Sequence, residues 1–295
     1  MKDGKTEMSK KKILFISISV VLIFETLVFV LLPIKGYIPI LMYHYVVPRE
    51  EIGTSSLSVS IDDFQKQMWF LKTFGFKTIS LDEFYAIKTG KEKPRGREVL
   101  ITFDDGHSSY VKYALPIMER YQIKSANFLI WDHLTKAEVW SHDIHLEEAK
   151  HLVNHPLVTW GSHTLTHPVL REVSLEQATT EIFLSKERLE EAFKKRIDYF
   201  CYPGGSFTPG IAEIVEKAGY RLAFRTSFKY YKAYPETLYS LSRIKVSPRQ
   251  SLFVFWLNIS GIVTYAKEID AFFHQLTGHK PNDKLALYEP AYKSM

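Results

Sequence analysis

The sequence is poor in cysteine and nearly balanced in charge. Its 295 residues include one cysteine, Cys201, so the chain cannot build the internal disulfide framework that many small secreted domains need. The formal net charge is +5, and residues 1–12 contribute five lysines against Asp3 and Glu7. The positive net charge of the rest of the chain is too small to indicate a nucleic-acid-binding surface, so we expect no nucleic-acid partner. The 46% apolar content is enough to bury a sizeable core.

The N-terminal region predicts a membrane anchor. A basic tail, residues 1–12, precedes residues 13–32, whose only charge is Glu25. A helix of that length reaches about 30 Å, the thickness of the hydrocarbon core. We expect an uncleaved transmembrane signal-anchor at the cell membrane, with the tail in the cytoplasm and the rest of the chain outside. A cleaved signal peptide is the alternative, although no small-residue cleavage site precedes Pro33.

Glu25 itself has two interpretations. A carboxyl group near the bilayer centre costs about 2–3 kcal/mol on insertion scales, which the apolar neighbours can offset. It is then either a tolerated side chain or a contact to another membrane helix, which would be a partner of this protein.

Thr102–Gly106 places two adjacent carboxylates at the end of a strand. The run reads Thr-Phe-Asp-Asp-Gly and follows the apolar β-type residues Val99–Ile101. Asp104 and Asp105 point in different directions there. One carboxylate can hold a metal ion while the other moves a proton, a division of labour that hydrolytic metal sites need.

His163 and His167 form the second motif, about sixty residues later. The run His-Thr-Leu-Thr-His follows the apolar stretch 156–160 and places both imidazoles on one face. Pro168 disfavours helical backbone at His167, which predicts a strand that runs into a loop. The two motifs together offer one Asp and two His to a divalent ion.

A second pair with the same spacing, His151 and His155, is not expected to bind metal. It falls near the end of a charged, Glu-rich helix predicted between residues 134 and 154, where His142 and His145 also lie. Histidines suit the C-terminal dipole of such a helix without any ligand role.

The remaining pattern alternates strands with helices. Apolar β-type runs are predicted at 37–47, 76–79, 125–130, 199–202, 220–226 and 241–246, and helices at 64–74, 108–121, 174–195 and 209–218. This alternation indicates an α/β fold with parallel strands. A broad apolar helical face within 251–274 is too short for a membrane span, and we expect it to pack on the domain rather than lie in the membrane interface.

With a third segment, Phe200–Gly205, the two motifs resemble those of the NodB-type polysaccharide deacetylases of carbohydrate esterase family 4. The third segment reads Phe-Cys-Tyr-Pro-Gly-Gly, and the three occur in the order typical of that family. The resemblance implies a distorted (β/α) barrel of about seven strands at 33–250, followed by a C-terminal helical extension at 251–295.

The resemblance also implies roles for the motif residues. Asp105, His163 and His167 would bind one divalent ion, most plausibly zinc, with nickel or cobalt able to substitute. Asp104 would be the catalytic base. The turn Tyr202–Gly205, with Tyr202, Pro203, Gly204 and Gly205, would bind substrate and offer a backbone N–H to the oxyanion. The reaction would be hydrolysis of an N-acetyl amide.

At two positions the sequence departs from the family pattern, so the partner of the base and the general acid must be other residues. Cys201 stands where the family usually has an arginine, so Arg243 is a candidate positive partner for Asp104. The late Leu-x-His motif, whose histidine often supplies the acid, is absent. His44 near the end of the first strand is then the candidate general acid, with a pKa that a neighbouring carboxylate would raise.

Tyr43–Val46 reads Tyr-His-Tyr-Val and is similar to the Tyr-His-x-Val motif of the poly-N-acetylglucosamine deacetylase branch. This resemblance implies a glycan partner rich in N-acetylglucosamine outside the cytoplasmic membrane. Two alternatives remain open: a deacylase of a lipid-linked sugar or small amide, and an inactive glycan-binding or scaffold protein.

Overall fold

A closed barrel of parallel strands is the centre of the fold. The computed structural model describes residues 36–136, 141–226 and 236–262. Its strands are β1 (Ile40–Tyr43), β2 (Tyr45–Val47), β3 (Ser58–Ser60), β4 (Lys77–Thr78), β5 (Glu98–Phe103), β6 (Ser125–Leu129), β7 (Val158–Ser162), β8 (Tyr199–Cys201), β9 (Leu222–Thr226) and β10 (Leu241–Lys245). Its helices are α1 (Ile61–Thr73), α2 (Leu81–Lys88), α3 (Leu115–Tyr121), α4 (Trp131–Thr135), α5 (Leu146–Leu152), α6 (Leu175–Phe193), α7 (Pro209–Lys217) and α8 (Leu252–Ser260).

Seven strands close the barrel in the order β1, β10, β9, β8, β7, β6, β5, and β5 pairs back with β1. Leu41 lies beside Ile244 on one side and Ile101 on the other, all in parallel register. β4 extends the sheet from β5 outside the ring, and β2 pairs only with β3. The prediction of a (β/α) barrel of about seven strands is therefore confirmed.

Two apolar layers hold the barrel together. The interior is filled by buried side chains such as Leu100, Phe128 and Phe224, and a larger cluster lies between the strands and the surrounding helices. Parallel strands buried on both faces need this near-continuous apolar sequence. Serine and threonine caps fix where several helices begin; Ser174, for example, accepts from the Gln177 N–H at the start of α6.

Two predicted elements differ from the structure. The predicted strand at 37–47 is interrupted at His44, because the chain leaves the barrel there and β2 pairs with β3 instead. The predicted helix at 108–121 begins with a π-helical turn, Tyr110–Ala114, before α3. Pro116 follows that turn and has no N–H to donate to it.

No helix in the described residues has the length and apolar character of a membrane span. The predicted anchor at 13–32, with Glu25, lies outside those residues. Within the apolar segment after residue 250, α8 packs against α1, with the rings of Phe255 and Phe70 6.2 Å apart.

Candidate active site

Asp105, His163 and His167 bring three ligand atoms together at the carboxyl end of the barrel. Asp105 Oδ1 lies 3.6 Å from Nε2 of each histidine, and the two Nε2 atoms are 3.3 Å apart. Ligands about 2.1 Å from a tetrahedral zinc ion lie about 3.4 Å from one another. The three donors therefore fit one ion of this size and leave further coordination positions open.

Neighbouring groups orient two of these ligands. The ring Nδ1 of His163 lies 2.8 Å from the carbonyl oxygen of Cys201, which assigns the proton to Nδ1 and leaves the Nε2 lone pair for a ligand. The Tyr45 hydroxyl donates to Asp105 Oδ2 at 3.0 Å and leaves Oδ1 facing the histidines. Such contacts from surrounding groups are typical of metal sites.

The backbone of the site is strained. Asp105, Thr164 and His167 have φ angles of 71°, 73° and 66°, in the left-handed region that non-glycine residues seldom adopt. Strain of this kind costs on the order of 1–3 kcal/mol per residue and clusters at functional sites.

The protonation state of His167 suits metal binding. Burial, together with the nearby His163, lowers the pKa of His167 to about 4, so its imidazole is neutral at pH 7. Neutral imidazole and ionised carboxylate are the forms that bind divalent ions.

A second trio, Asp104, His163 and Cys201, is close enough in space to be considered as a metal site. Its chemistry does not fit. Both oxygens of Asp104 accept from Arg243, and burial raises the pKa of the Cys201 thiol well above its usual range. A protonated thiol and a carboxylate already paired are poor metal ligands.

Asp104 forms a buried, bidentate ion pair with Arg243. The Nη1 and Nη2 groups of Arg243 donate to Oδ1 and Oδ2 of Asp104 at 2.7 and 2.6 Å, and both side chains are almost fully buried. Burial alone would raise the pKa of Asp104, but the charge and hydrogen bonds of Arg243 outweigh it and hold the pKa well below its usual range. Asp104 is thus held ionised and in one orientation.

The barrel wall holds Arg243 in turn. Its Nε donates to the Arg225 carbonyl at 3.2 Å and its Nη1 to Thr102 Oγ1 at 3.0 Å. Its Nη2 lies 3.0 Å from Cys201 Sγ, and that sulfur is 3.6 Å from both oxygens of Asp104. The guanidinium of Arg243 therefore contacts both Asp104 and Cys201, and Cys201 stands where the family usually has an arginine.

His44 also lies beside Asp104, with Nε2 3.9 Å from Asp104 Oδ2. The expectation that a carboxylate raises its pKa is wrong in net direction. Burial lowers the pKa of His44 more strongly than Asp105 and Asp104 raise it. The imidazole is accordingly more acidic than a solvated one.

A cavity of about 370 Å³ opens over these groups. Its lining includes His44, Asp104, the three proposed metal ligands, Gly204, Gly205, Arg171 and Lys245. Lys245 donates to Ser56 Oγ at 3.0 Å, and burial lowers its pKa to about 8.

The turn at Tyr202–Gly205 divides its residues between the cavity and the core. Gly204 and Gly205 line the cavity, whereas the Tyr202 and Pro203 side chains are buried and the Tyr202 hydroxyl donates to the Tyr239 carbonyl. The Tyr202 N–H donates to Phe224 O and the Gly205 N–H to Tyr202 O. A Cβ on Gly205 would lie 2.1 Å from Thr226 Oγ1, so only glycine fits there.

The other histidine pair lies elsewhere. His155 Nε2 pairs with Glu119 Oε1 at 3.0 Å, and His151 is exposed on α5. His142 stacks on His107, and His145 precedes α5. Among the described residues, neither member of the pair belongs to a cluster with metal-ligand spacing.

Sequence reasoning missed two groups that support the site, Tyr45 and Glu181. Tyr45 adjoins His44 in the Tyr-His-x-Val motif, which is a signal that could have identified it. Glu181 lies in a helix rich in charged residues and accepts from the loop between the two histidines. Nothing in the local sequence sets it apart from solvated acids nearby.

The chain is similar to proteins named as polysaccharide deacetylases. A sequence profile of the family described as polysaccharide deacetylase matches residues 91–223. YxkH of Bacillus subtilis, named as a candidate polysaccharide deacetylase, is 29% identical over 214 residues, or 72% of this chain and 73% of that protein. The poly-β-1,6-N-acetyl-D-glucosamine N-deacetylase of Staphylococcus aureus is 28% identical over 178 residues, which span 57% of this chain and 60% of that enzyme. The structure of the Streptococcus pyogenes deacetylase PplD in complex with acetate superposes with a TM-score of 0.68 at 28% identity, covering 77% of this chain and 99% of PplD.

Proposed function

We propose that this chain is a polysaccharide deacetylase of the NodB type, a metal-dependent hydrolase that removes N-acetyl groups from an N-acetylglucosamine polymer outside the cytoplasmic membrane. One observation carries the proposal: a three-ligand metal set and a separately held carboxylate share one cavity. The similarity to the Staphylococcus aureus enzyme supports the choice of substrate.

Asp105, His163 and His167 would hold the ion, with zinc as the expected metal and nickel or cobalt as substitutes. When bound, such an ion polarises the acetyl carbonyl and lowers the pKa of an attacking water. The remaining chemistry belongs to the protein's own side chains.

Asp104 accepts the proton of the attacking water as the new C–O bond forms. Arg243 binds both oxygens of the carboxylate and so holds Asp104 in one orientation at the cavity wall. A carboxylate whose pKa is lowered by an ion pair is a weak base. The pair with Arg243 therefore makes Asp104 less basic but keeps it in one orientation. Cleavage of the C–N bond then needs a proton on the departing amine.

His44 supplies that proton. Its lowered pKa leaves the imidazole mostly neutral at pH 7, so it must first take up a proton. With Nε2 3.9 Å from Asp104 Oδ2 in the cavity lining, it takes up the proton that Asp104 removes from water and passes it to the leaving nitrogen. Gly204 and Gly205 let the substrate approach the backbone closely. The products are acetate and a glycan with a free amino group.

Acetate release tests this function. Full-length protein in detergent is incubated with β-1,6- and β-1,4-linked N-acetylglucosamine oligomers and with a small acetamide, each with and without chelator. We expect chelator-sensitive release from an oligomer. Release from the acetamide alone would favour a small-amide deacylase, and no release from any substrate would reject the enzymatic assignment.

Metal content tests the ligand set directly. The double variant His163→Ala, His167→Ala should lose bound zinc, whereas the variant His151→Ala, His155→Ala keeps the same spacing of changes and should retain it. Full occupancy in the first variant would reject these ligands.

The outward orientation is part of the same proposal. Lys10–Lys12 retain the N-terminus inside, and residues 13–32 carry the domain across. Protease added to intact cells, stripped of outer layers where present, should digest the domain. Full protection would contradict this topology.

A further inference from the structure

The two proposed histidine ligands are held in different ways. His163 is buried at the end of β7, where its N–H donates to Leu129 O at 2.8 Å and its ring contacts Cys201 O. His167 lies four residues later in a loop, and about a third of its side chain is exposed. Its left-handed backbone is not part of any strand or helix. The position of His167 therefore depends on whatever fixes this loop.

Glu181 on α6 accepts three hydrogen bonds from the loop. Its Oε2 accepts the N–H groups of Leu165 and Thr166 at 2.9 and 2.8 Å, and its Oε1 accepts the Thr166 hydroxyl at 2.6 Å. The carboxylate is 5% exposed, so both oxygens are bound to the loop rather than to bulk water. Hydrogen bonds to a buried carboxylate are among the stronger ones in proteins.

The N-terminus of α4 holds the same loop from its carbonyl side. The N–H groups of Trp131 and Asp132 donate to Thr164 O and Leu165 O at 3.2 and 2.9 Å. The loop thus has its donors bound by α6 and its carbonyls bound by α4. A loop held on both sides can keep a strained left-handed residue in place.

We propose that Glu181 is a positioning residue for the metal site, which fixes the loop so that His167 Nε2 stays within ligand distance of His163 and Asp105. The inference rests on the proposed function, because it assumes that these residues bind a divalent ion. Glu181 touches no ligand and acts only through Leu165 and Thr166. Its removal leaves two backbone N–H groups without their acceptor, so the loop relaxes and His167 moves from the other two ligands.

Zinc affinity, measured by competition with a chromophoric chelator, tests the proposal on the full chain in detergent. Glu181→Leu should bind zinc about 10- to 100-fold more weakly, the usual effect of losing a group that orients a ligand. Glu181→Gln keeps an oxygen for the two backbone N–H groups and should retain most of the affinity. Thr166→Val removes one hydrogen bond at an exposed residue and should fall between them, and this variant remains informative if Glu181→Leu does not fold.

Glu190→Leu is the matched control. Glu190 is a second carboxylate on α6, but its Oε1 accepts the Ile197 N–H at 2.8 Å, beyond the C-terminal end of the helix, rather than a group of the histidine loop. This variant should keep its zinc affinity within about two-fold even if its melting temperature falls. Equal losses in the Glu190 and Glu181 variants, or a Thr166→Val affinity equal to wild type, would overturn the proposal. If the wild type binds no zinc, the proposed function and this inference both fail; if it does and Glu181→Leu binds equally well, this inference alone fails.

Discussion

The ion pair between Asp104 and Arg243 offers the sharpest test of how the proposed catalytic base is held. Arg243→Met removes the guanidinium but keeps a long apolar side chain in the barrel. Asp104 is then buried without a positive partner, because both of its oxygens accept from Arg243 in the wild type. Breaking a buried pair by removing one member costs about 3–5 kcal/mol.

For a domain of this size a loss of about 1 kcal/mol lowers the melting temperature by about 2–4 °C, so the variant should melt about 6–20 °C lower at pH 7. Asp104→Asn leaves the Arg243 guanidinium buried without a negative partner and should lower the melting temperature by a comparable amount. The double variant Asp104→Asn, Arg243→Met buries neither charge and should be more stable than Arg243→Met alone. Thermal unfolding of the four proteins measures this coupling, and strictly additive losses would refute the reasoning.

The loss of stability in the Arg243→Met variant should also depend on pH. The wild-type pKa of Asp104 lies below its ordinary value of 3.8, so the pair contributes its full stability above that value and loses it as the pH falls towards the folded-state pKa. In the variant, burial raises the pKa of Asp104 instead, and protonation relieves the stranded charge. The difference between wild type and variant should therefore shrink as the pH falls, first from the raised pKa of the variant down to the ordinary value of 3.8, and then further below 3.8 as the wild type loses its own gain.

Three further predictions concern the cavity lining. His44→Ala should reduce turnover by roughly 10²–10⁴ and leave zinc content unchanged, and a rate within a few-fold of wild type would return His44 to a structural role. Gly205→Ala should destabilise the protein by more than Gly204→Ala, because a Cβ at Gly205 meets Thr226 whereas one at Gly204 meets nothing within 4 Å; equal melting temperatures would contradict the structure. Lys245→Met should raise the melting temperature at pH 7, because burial lowers the pKa of Lys245 to about 8 and so penalises its charged form; the gain should fade as the pH rises from 8 through the ordinary value of 10.5, and a gain that grew would refute this sign.

The barrel and the grouping of Asp105, His163 and His167 could be predicted from the sequence because local signals specify them. Asp105 and His163 each follow an apolar strand run, and parallel strands bring their carboxyl ends to one face. Pro168 correctly indicated that His167 lies in a loop. Short-range pattern and strand direction were sufficient for these residues.

The contacts that orient the site depend on distant parts of the chain. Glu181 reaches the loop only because α6 packs beside it, and no periodicity in α6 distinguishes its carboxylate from solvated ones. The placement of Arg243 on Asp104 required a comparison with the family pattern at Cys201. The net direction of the His44 pKa could not be read from sequence either, since burial at that position outweighs its acidic neighbours.

Closure of the ring by β1 and β10 has a consequence for the order of folding. Leu41 and Ile244 are paired strand neighbours although about two hundred residues separate them, so this contact closes the longest loop of any strand pairing in the described barrel and has the largest loop-closure entropy to overcome. A nascent chain that has emerged only as far as β9 already contains Asp105, His163 and His167, but it lacks Arg243. The proposed metal ligands can therefore assemble before β10 docks, whereas Asp104 acquires its fixed orientation only once β10 has brought Arg243 into place. Closure of the barrel and orientation of the proposed catalytic base are thus one event.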